Sequence, residues 1–405
     1  MTNISWASTT TNPFTGCLPD SEGCMNCYAI GQSWRNANNP IIASKYEGVV
    51  RKTTAGNLKF TGKVNFLESA LYPMMRWSKP QYNFMGSMAD LFYKEIKKEW
   101  LDIVFAYMLC APKHVHMVLT KRPGRMREYI ENNFGSLSMI NHMEEVRKNF
   151  DKYEHLLHNF VEFLPDSERC GCRVGPEDTT PCGIYDKRKV GFCDLDEEVG
   201  FGYSYNSIFR IIEEKVQHIW YGVSVENQEQ ADRRIPELLE LKTGGLKYLS
   251  LEPLIGPVDL NQYIEYLDYL IIGGESGTKA RPVHPDWVRQ IVEVAQKHNK
   301  IIHFKQWGTW LPWEMTGTPR MMLSQDGQEQ DIWQMDMELA NGDWNSKKWY
   351  EILSTIDEFT PLYNKGRDYL LAFEKVGKSK SGYMLDGKEY REFPEMPAYC
   401  QHKLK

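Results

Sequence analysis

The sequence predicts a parallel α/β fold, a (β/α)8-type or partial parallel barrel, with a Cys-rich insertion and a C-terminal extension. Three observations carry that expectation. Eight short β-branched or aromatic runs recur along the 405 residues, each closing on small or polar residues. Stretches of helical periodicity separate most of them, an alternation that makes strands parallel, and eight such strands favour closure over an open doubly wound sheet. Charged and hydrogen-bonding residues gather just past the ends of the runs, where the loops of such folds converge.

In chain order the expected strands begin with Ile4–Ala7, Lys63–Leu67, Asn83–Met88 and His114–Thr120, with a helix over Glu95–Leu109. The gap from Gly124 to Val216 is too long for an ordinary connection. Its first half reads as helical (Leu137–Phe163) and its second is rich in Cys, Gly and Asp, which marks an insertion. Strands resume at Ile219–Val225, Tyr248–Leu251, Tyr269–Ile272 and Ile301–Phe304, with helices at Gln228–Leu241 and Asp286–His298. From Thr309 the alternation stops and Trp, Met and Gly become frequent. The expected organisation is a first barrel segment (1–123), a helical and Cys-rich insertion (124–216), a second barrel segment (217–308) and a C-terminal extension or lid (309–405).

Hydrophobic residues make up 42% of the chain and aromatic residues 13%, enough to pack a core, which excludes a largely disordered protein. A formal net charge of −6 gives no overall attraction to nucleic acid, so any such binding would need a local patch. The start, Met1-Thr-Asn-Ile-Ser-Trp6, has neither the basic flank nor the apolar run of a secretory signal. No apolar stretch approaches the ~20 residues that span a bilayer. Nine cysteines without an export signal point to a reducing compartment, where clustered thiols bind metal more often than they pair. The expectation is a soluble cytoplasmic protein.

The loop after the first run reads Cys17-Leu-Pro-Asp-Ser-Glu-Gly-Cys24-Met-Asn-Cys27, a Cys-x6-Cys-x2-Cys spacing. Three thiolates hold three corners of an iron–sulfur cube and leave the fourth iron open for a ligand, as an enzyme needs. Zinc is the alternative, with free structural thiols the remaining reading. A structural zinc takes four protein ligands, so three cysteines would need a further donor or a catalytic water, and the nearest histidine in sequence is His114. Gly16, Pro19 and Gly23 supply the turns.

The later runs end in Ser87-Met-Ala-Asp90, Lys121-Arg122, Ser224-Val-Glu226, Ser250-Leu-Glu252, Gly273-Gly274-Glu275 and Lys305-Gln306. One Ser or Asp at such a place is an ordinary helix cap. Glu226, Glu252 and Glu275 flanked by Lys121, Arg122 and Lys305 are more than caps. Converging, they form a polar basin suited to a zwitterionic or ribose-bearing ligand. Gly273-Gly274 lets backbone approach such a ligand. Inside the insertion, Cys170, Cys172, Cys182 and Cys193 suggest metal in place of a core, either structural zinc or an auxiliary iron–sulfur cluster, with free thiols as the remaining reading. Cys110 and Cys400 stand alone and are expected to be structural. Lys375, Lys378, Lys380 and Lys388, interleaved with Tyr383 and Tyr390, read either as an edge touching a phosphate-bearing substrate or as a solvated loop.

The cysteine loop with Trp6, Ser87-Met-Ala-Asp90-Leu-Phe92, Leu119-Thr-Lys-Arg-Pro123, Trp220 to Gln228, Leu249-Ser-Leu-Glu-Pro-Leu254, Gly273 to Gly277 with Ala280-Arg-Pro282, and Phe304-Lys-Gln-Trp-Gly308 resembles the phage-associated three-cysteine-motif family. That family is distant kin of radical S-adenosylmethionine enzymes and of spore photoproduct lyase. Val376-Gly-Lys378, Leu385-Asp-Gly387 and Phe393-Pro394 extend the resemblance, which leaves out most of 124–216. It implies a 4Fe-4S cluster on Cys17, Cys24 and Cys27, S-adenosylmethionine chelating the open iron, and reductive cleavage to a 5′-deoxyadenosyl radical that takes hydrogen from the substrate. Lys121, Glu252 and Lys305 become the catalytic candidates. Ser87, Asp90, Arg122, Ser224, Glu226, Gly273, Gly274 and Glu275 become the cofactor-binding ones. By the same resemblance Glu275 or Glu252 would take the methionine amino group, Ser224 and Glu226 the ribose, and Lys121 or Arg122 the carboxylate. The implied substrate is a thymidine-derived nucleobase in phage-type DNA, and the implied partner a one-electron reductant such as flavodoxin or ferredoxin. Two departures stand out: radical enzymes commonly space the cysteines x3 then x2 and place an aromatic residue before the last. Here the first gap is six, Asn26 precedes Cys27, and Tyr28 follows it. The reading from a different class is a zinc-binding hydrolase or a metal-stabilised nucleic-acid-binding protein.

Overall fold

A computed structural model of the chain describes residues 4–134, 136–150, 216–312 and 377–401, with short strands at Met321–Leu323, Glu329–Asp331 and Ala372–Lys375. Seven strands form one parallel sheet: β1 (Thr9–Thr11), β2 (Tyr82–Met85), β3 (Val115–Thr120), β4 (Ile219–Ser224), β5 (Lys247–Leu251), β6 (Tyr269–Gly273) and β7 (Ile301–Gln306). Each pairs with its neighbour in sequence, the winding of a barrel, and the sheet ends at β1 and β7. The architecture is therefore a partial parallel barrel.

Helices cover the outside. Besides α1 (Tyr28–Ala37), which packs on a hairpin outside the main sheet, these are α2 (Lys98–Leu109), α3 (Pro123–Asn133), α4 (Leu137–Asn149), α5 (Gln228–Glu240) and α6 (Pro285–Lys297). In α6, Val288, Ile291, Val292 and Ala295 recur at helical spacing and are buried. Its start is set by Pro285 in the first turn and by His284, whose ring nitrogen accepts from the Asp286 amide at 3.2 Å. Asn227 caps α5 in the same way, its side-chain oxygen accepting from Gln230 N at 3.1 Å. Packing of α3 on α5 and of α4 on α2 carries the helical layer past residue 123.

The strands alternate two cores. Met85, Val118, Tyr221, Leu249, Leu270 and Ile272 face the helices. Phe84, Met117, Trp220, Tyr248, Tyr269 and Ile271 face inward with Trp6 and Cys400 and fill the floor of the barrel. Gly222 has no side chain because the Tyr248 ring occupies its place; a Cβ there would lie 2.5 Å from that ring. Carried on toward the carboxyl ends, the same inward parity reaches Ser224, Ser250, Glu252, Gly273 and Lys305, so a polar layer lies above the apolar floor. The free edge of β7 is covered by the chain near its end: Phe304 N donates to Tyr390 O at 2.6 Å and Glu392 N to Ile302 O at 3.0 Å. The same segment crosses to β2, where Tyr82 donates to Pro394 O at 2.7 Å.

Two expected strands differ. Residues Ile4–Ala7 form a turn, with Ala7 N bonded to Ile4 O, because Trp6 is drawn into the floor; the strand itself is the threonine run that follows. The run Lys63–Leu67 contributes only Asn65–Phe66, which pairs antiparallel with Phe14–Thr15 outside the main sheet. The sheet thus has seven strands where eight were expected. Cys170, Cys172, Cys182 and Cys193 lie outside the described residues.

Candidate metal centre

The three cysteines sit at the carboxyl-end mouth of the barrel, half-buried and unpaired. Cys17 follows Gly16, whose φ of +93° and close approach to Lys63 O leave no room for a side chain. Cys27 opens α1 at its N-cap position. The three lie on one loop, where Cys27 N bonds to Cys24 O at 3.2 Å and Cys17 and Cys27 pack against the same apolar cluster. Burial, then the Asp90 charge, pushes Cys17 up to about 11, and burial raises Cys27. Ligation at neutral pH would therefore displace thiol protons.

Strand-end side chains lock this loop from three sides. Asp90 accepts from Thr120 Oγ1 at 2.6 Å and pairs with Arg122 at 2.7 Å, and Arg122 donates onward to Leu18 O at 2.8 Å. Glu226, fully buried, accepts from Ser21 Oγ at 2.6 Å and pairs with Arg234 at 2.7 Å and with Lys121. Glu275 takes Arg281 at 2.8 Å and the Asn26 amide at 3.1 Å. On the loop, Asp20 pairs with Arg234 at 2.7 Å and Arg233 at 2.5 Å. Burial would raise Asp20 and Glu226, but the arginines around Asp20, and Lys121 with Arg234 around Glu226, outweigh it and hold both below the usual carboxylate range. The fit is close: a Cβ on Gly23 would lie 2.3 Å from Glu226 Cγ.

Glu252 stands apart from this collar. Facing inward, it accepts from Trp6 Nε1 at 3.0 Å and pairs with Lys305 at 2.9 Å, both groups remaining partly open to solvent. Its charge reaches Tyr28, whose hydroxyl donates to Ser87 O at 2.6 Å, and Lys121 reaches Cys27. Lys378 of the C-terminal extension arrives here too; partial desolvation and the Lys305 charge lower its pKa while Glu252 opposes them. Its loop is fixed by Gly377 N on Thr309 O at 3.0 Å, and Thr309 N in turn bonds Glu275 O at 2.8 Å.

The sequence-predicted residues thus divide. Asp90, Arg122, Glu226 and Glu275, with Lys121, hold the cysteine loop. Ser87 donates to Asn12 Oδ1 at 3.0 Å, and Ser224 is buried with its carbonyl accepting from Arg234 at 2.8 Å. Gly273 makes room for the Glu252 carboxylate, 2.5 Å from where a Cβ would stand, and Gly274 for the backbone of Trp307. Glu252 and Lys305 face the interior. Sequence reasoning missed Asp20, Ser21, Arg233 and Arg234 as loop clamps. Their partners lie more than 200 residues away, and no spacing signal links them.

Among the described residues no three Cys, His, Asp or Glu side chains form a cage for a single metal ion. A cube fastens each thiol to a different iron and so asks for a wider triangle than one ion does. The donor set, three thiols on one loop beside an acid–lysine pair, suits such a cluster with an open corner.

Fold and site together define a partial parallel barrel whose mouth carries three free thiols on a charge-clamped loop. The chain belongs to the family described as proteins of unknown function, DUF5131, whose model matches residues 1–394. No curated protein and no solved structure matches it. Among the described residues no helix is long and apolar enough to cross a membrane.

Proposed function

We propose that the protein is a radical S-adenosylmethionine enzyme acting on a nucleobase, a thymidine-derived base of phage-type DNA, as an isomerase or lyase. The observation that carries this reading is three free thiols, Cys17, Cys24 and Cys27, on one loop clamped to the strand ends of a parallel barrel that also carries the Glu252–Lys305 pair. Those cysteines would hold a 4Fe-4S cluster. Bound with S-adenosylmethionine and reduced by one electron, it supplies a 5′-deoxyadenosyl radical for hydrogen abstraction.

The protein's own part is positional. The collar of Asp90, Arg122, Glu226 and Glu275 fixes the loop, so that the cysteines are held in place at the strand ends. Glu252 and Lys305 are ligand-facing and free to exchange their mutual ion pair for the amino and carboxylate groups of a zwitterion. The apolar floor beneath them excludes water from the reacting centre. A one-electron donor such as flavodoxin or ferredoxin and a reducing cytoplasm complete the reading.

Anaerobic reconstitution with iron and sulfide should give a brown protein that releases 5′-deoxyadenosine on reduction with S-adenosylmethionine. Cys24→Ala should lose both colour and release. A colourless, zinc-containing protein, or colour and release that survive Cys24→Ala, would sink the reading. Mass spectrometry of DNA nucleosides with and without the protein tests the substrate.

A further inference from the structure

The lobe that follows the cysteine loop has a charge balance opposite to that of the chain. Residues 28–66 hold Arg35, Lys45, Arg51, Lys52, Lys59 and Lys63 against one acid, Glu47, whereas the whole chain carries −6. All six cations are exposed, and among the described residues none of them makes an ion pair. The lobe is one packed unit. Its α1 lies on a hairpin of Val50–Lys52 and Leu58–Phe60, with Ala29, Tyr46, Val49 and Phe60 in a shared core against which Cys17 and Cys27 also pack.

In that hairpin Val50 and Phe60 turn inward, so Arg51 and Lys59, directly opposite in register, share the outward face. Like charges directly opposite on a strand pair destabilise it. Among the described residues no carboxylate pairs with either group to offset this repulsion; an anion lying between the two would.

We propose that this lobe is the docking surface for a nucleic-acid backbone, with its cations on successive phosphates. The proposal rests on the reading above for its purpose, since it lays a DNA substrate beside the cysteine mouth. A phosphate backbone offers a row of equal charges to cations spread over a helix, a hairpin and a loop, whatever the base sequence. The hairpin tip, Thr53-Thr54-Ala55-Gly56-Asn57, is small and polar and can approach a groove without steric obstruction. An acidic protein fits less well. Apart from Tyr28 beside the cysteines, Ile41 is the large hydrophobic residue that the lobe exposes, so it lacks the apolar centre of a protein interface.

The test is fluorescence anisotropy of the full chain with a random-sequence duplex of about 20 base pairs, between about 50 and about 200 mM salt. Affinity should fall log-linearly with salt. The triple variant Arg51→Gln, Lys52→Gln, Lys59→Gln should bind about tenfold or more weakly at low salt, with a slope shallower by about 2–3. A control triple on the opposite charge background, Lys94→Gln, Lys97→Gln, Lys242→Gln, should bind like the parent. Circular dichroism checks folding, and iron content checks the cluster separately. No salt-dependent binding, a lobe triple that binds like the parent, or lobe-dependent capture of an acidic electron carrier without DNA binding overturns the docking surface whatever the iron assay shows. A chain that binds DNA through the lobe but holds no iron overturns only the radical chemistry.

Discussion

The collar around the cysteines and the basic lobe behind them use the same residue types under opposite conditions. In the collar Arg122, Arg234, Arg281 and Lys121 each face a carboxylate of the same chain, and Glu226 with Arg234 is fully buried. On the lobe six cations stand exposed and, among the described residues, outside any ion pair, two of them side by side. Buried pairs add little net stability over an apolar pair, because desolvation takes back most of the attraction, but they fix geometry, since neither partner can move without stranding the other. Unpaired surface charges fix nothing within the chain. On the docking proposal they are directed at something outside it.

The largest test of this contrast is acid. Burial holds His114 down to about 4, His218 and His284 to about 3, His303 to about 4 and His116 well below its ordinary value. The unfolded chain therefore binds more protons than the folded one once the pH drops below the ordinary histidine value of 6.5, and stability should fall from there down to about 4. Asp20 and Glu226 are shifted the other way in their own range. Their contribution is full above the ordinary carboxylate values and is lost as pH falls through the depressed ones. The urea midpoint should therefore drop first, with Cys24 becoming accessible to a dipyridyl disulfide, which reacts with thiols in acid, only at lower pH. Early exposure of Cys24 with an unchanged midpoint would contradict this order.

Next comes Glu226→Ala, which takes from buried Arg234 one of its two carboxylates, Asp20 remaining, and from Lys121 its partner, and should cost ~3 kcal/mol in urea unfolding. Gly23→Ala forces a methyl against Glu226 and should cost ~1–3 kcal/mol while speeding thiol modification of the loop. The smallest effect has the opposite sign: Lys59→Gln relieves the repulsion with Arg51 and should leave stability unchanged or raise it by ~0.2–1 kcal/mol. A destabilisation comparable to that of Glu226→Ala would mean that the lobe's charges serve the fold after all.

The strands and their polar ends were legible in the sequence because alternation and burial repeat locally; β3 to β7 and α2, α5 and α6 fall within a few residues of expectation. The first strand was not, since Ile4 and Trp6 look like strand residues while Thr9–Thr11, the actual strand, is polar. That Glu226 and Glu275 clamp the loop was hidden for another reason. A strand-end glutamate reads the same whether its partner is a ligand or an arginine, and Asp20 meets Arg234 across 214 positions. The lobe's charge is not legible because its six cations form no run beyond the pair Arg51-Lys52; residues such as Val49, Val50 and Phe60, which go into its core, separate the rest.

The covering of β7 by residues 390–392 has a further consequence. An open parallel sheet leaves a row of amides and carbonyls along its last strand, a template for another chain. Here the tail takes that place, so shortening the protein before Tyr390 would bare β7 and leave a barrel prone to stack edge to edge.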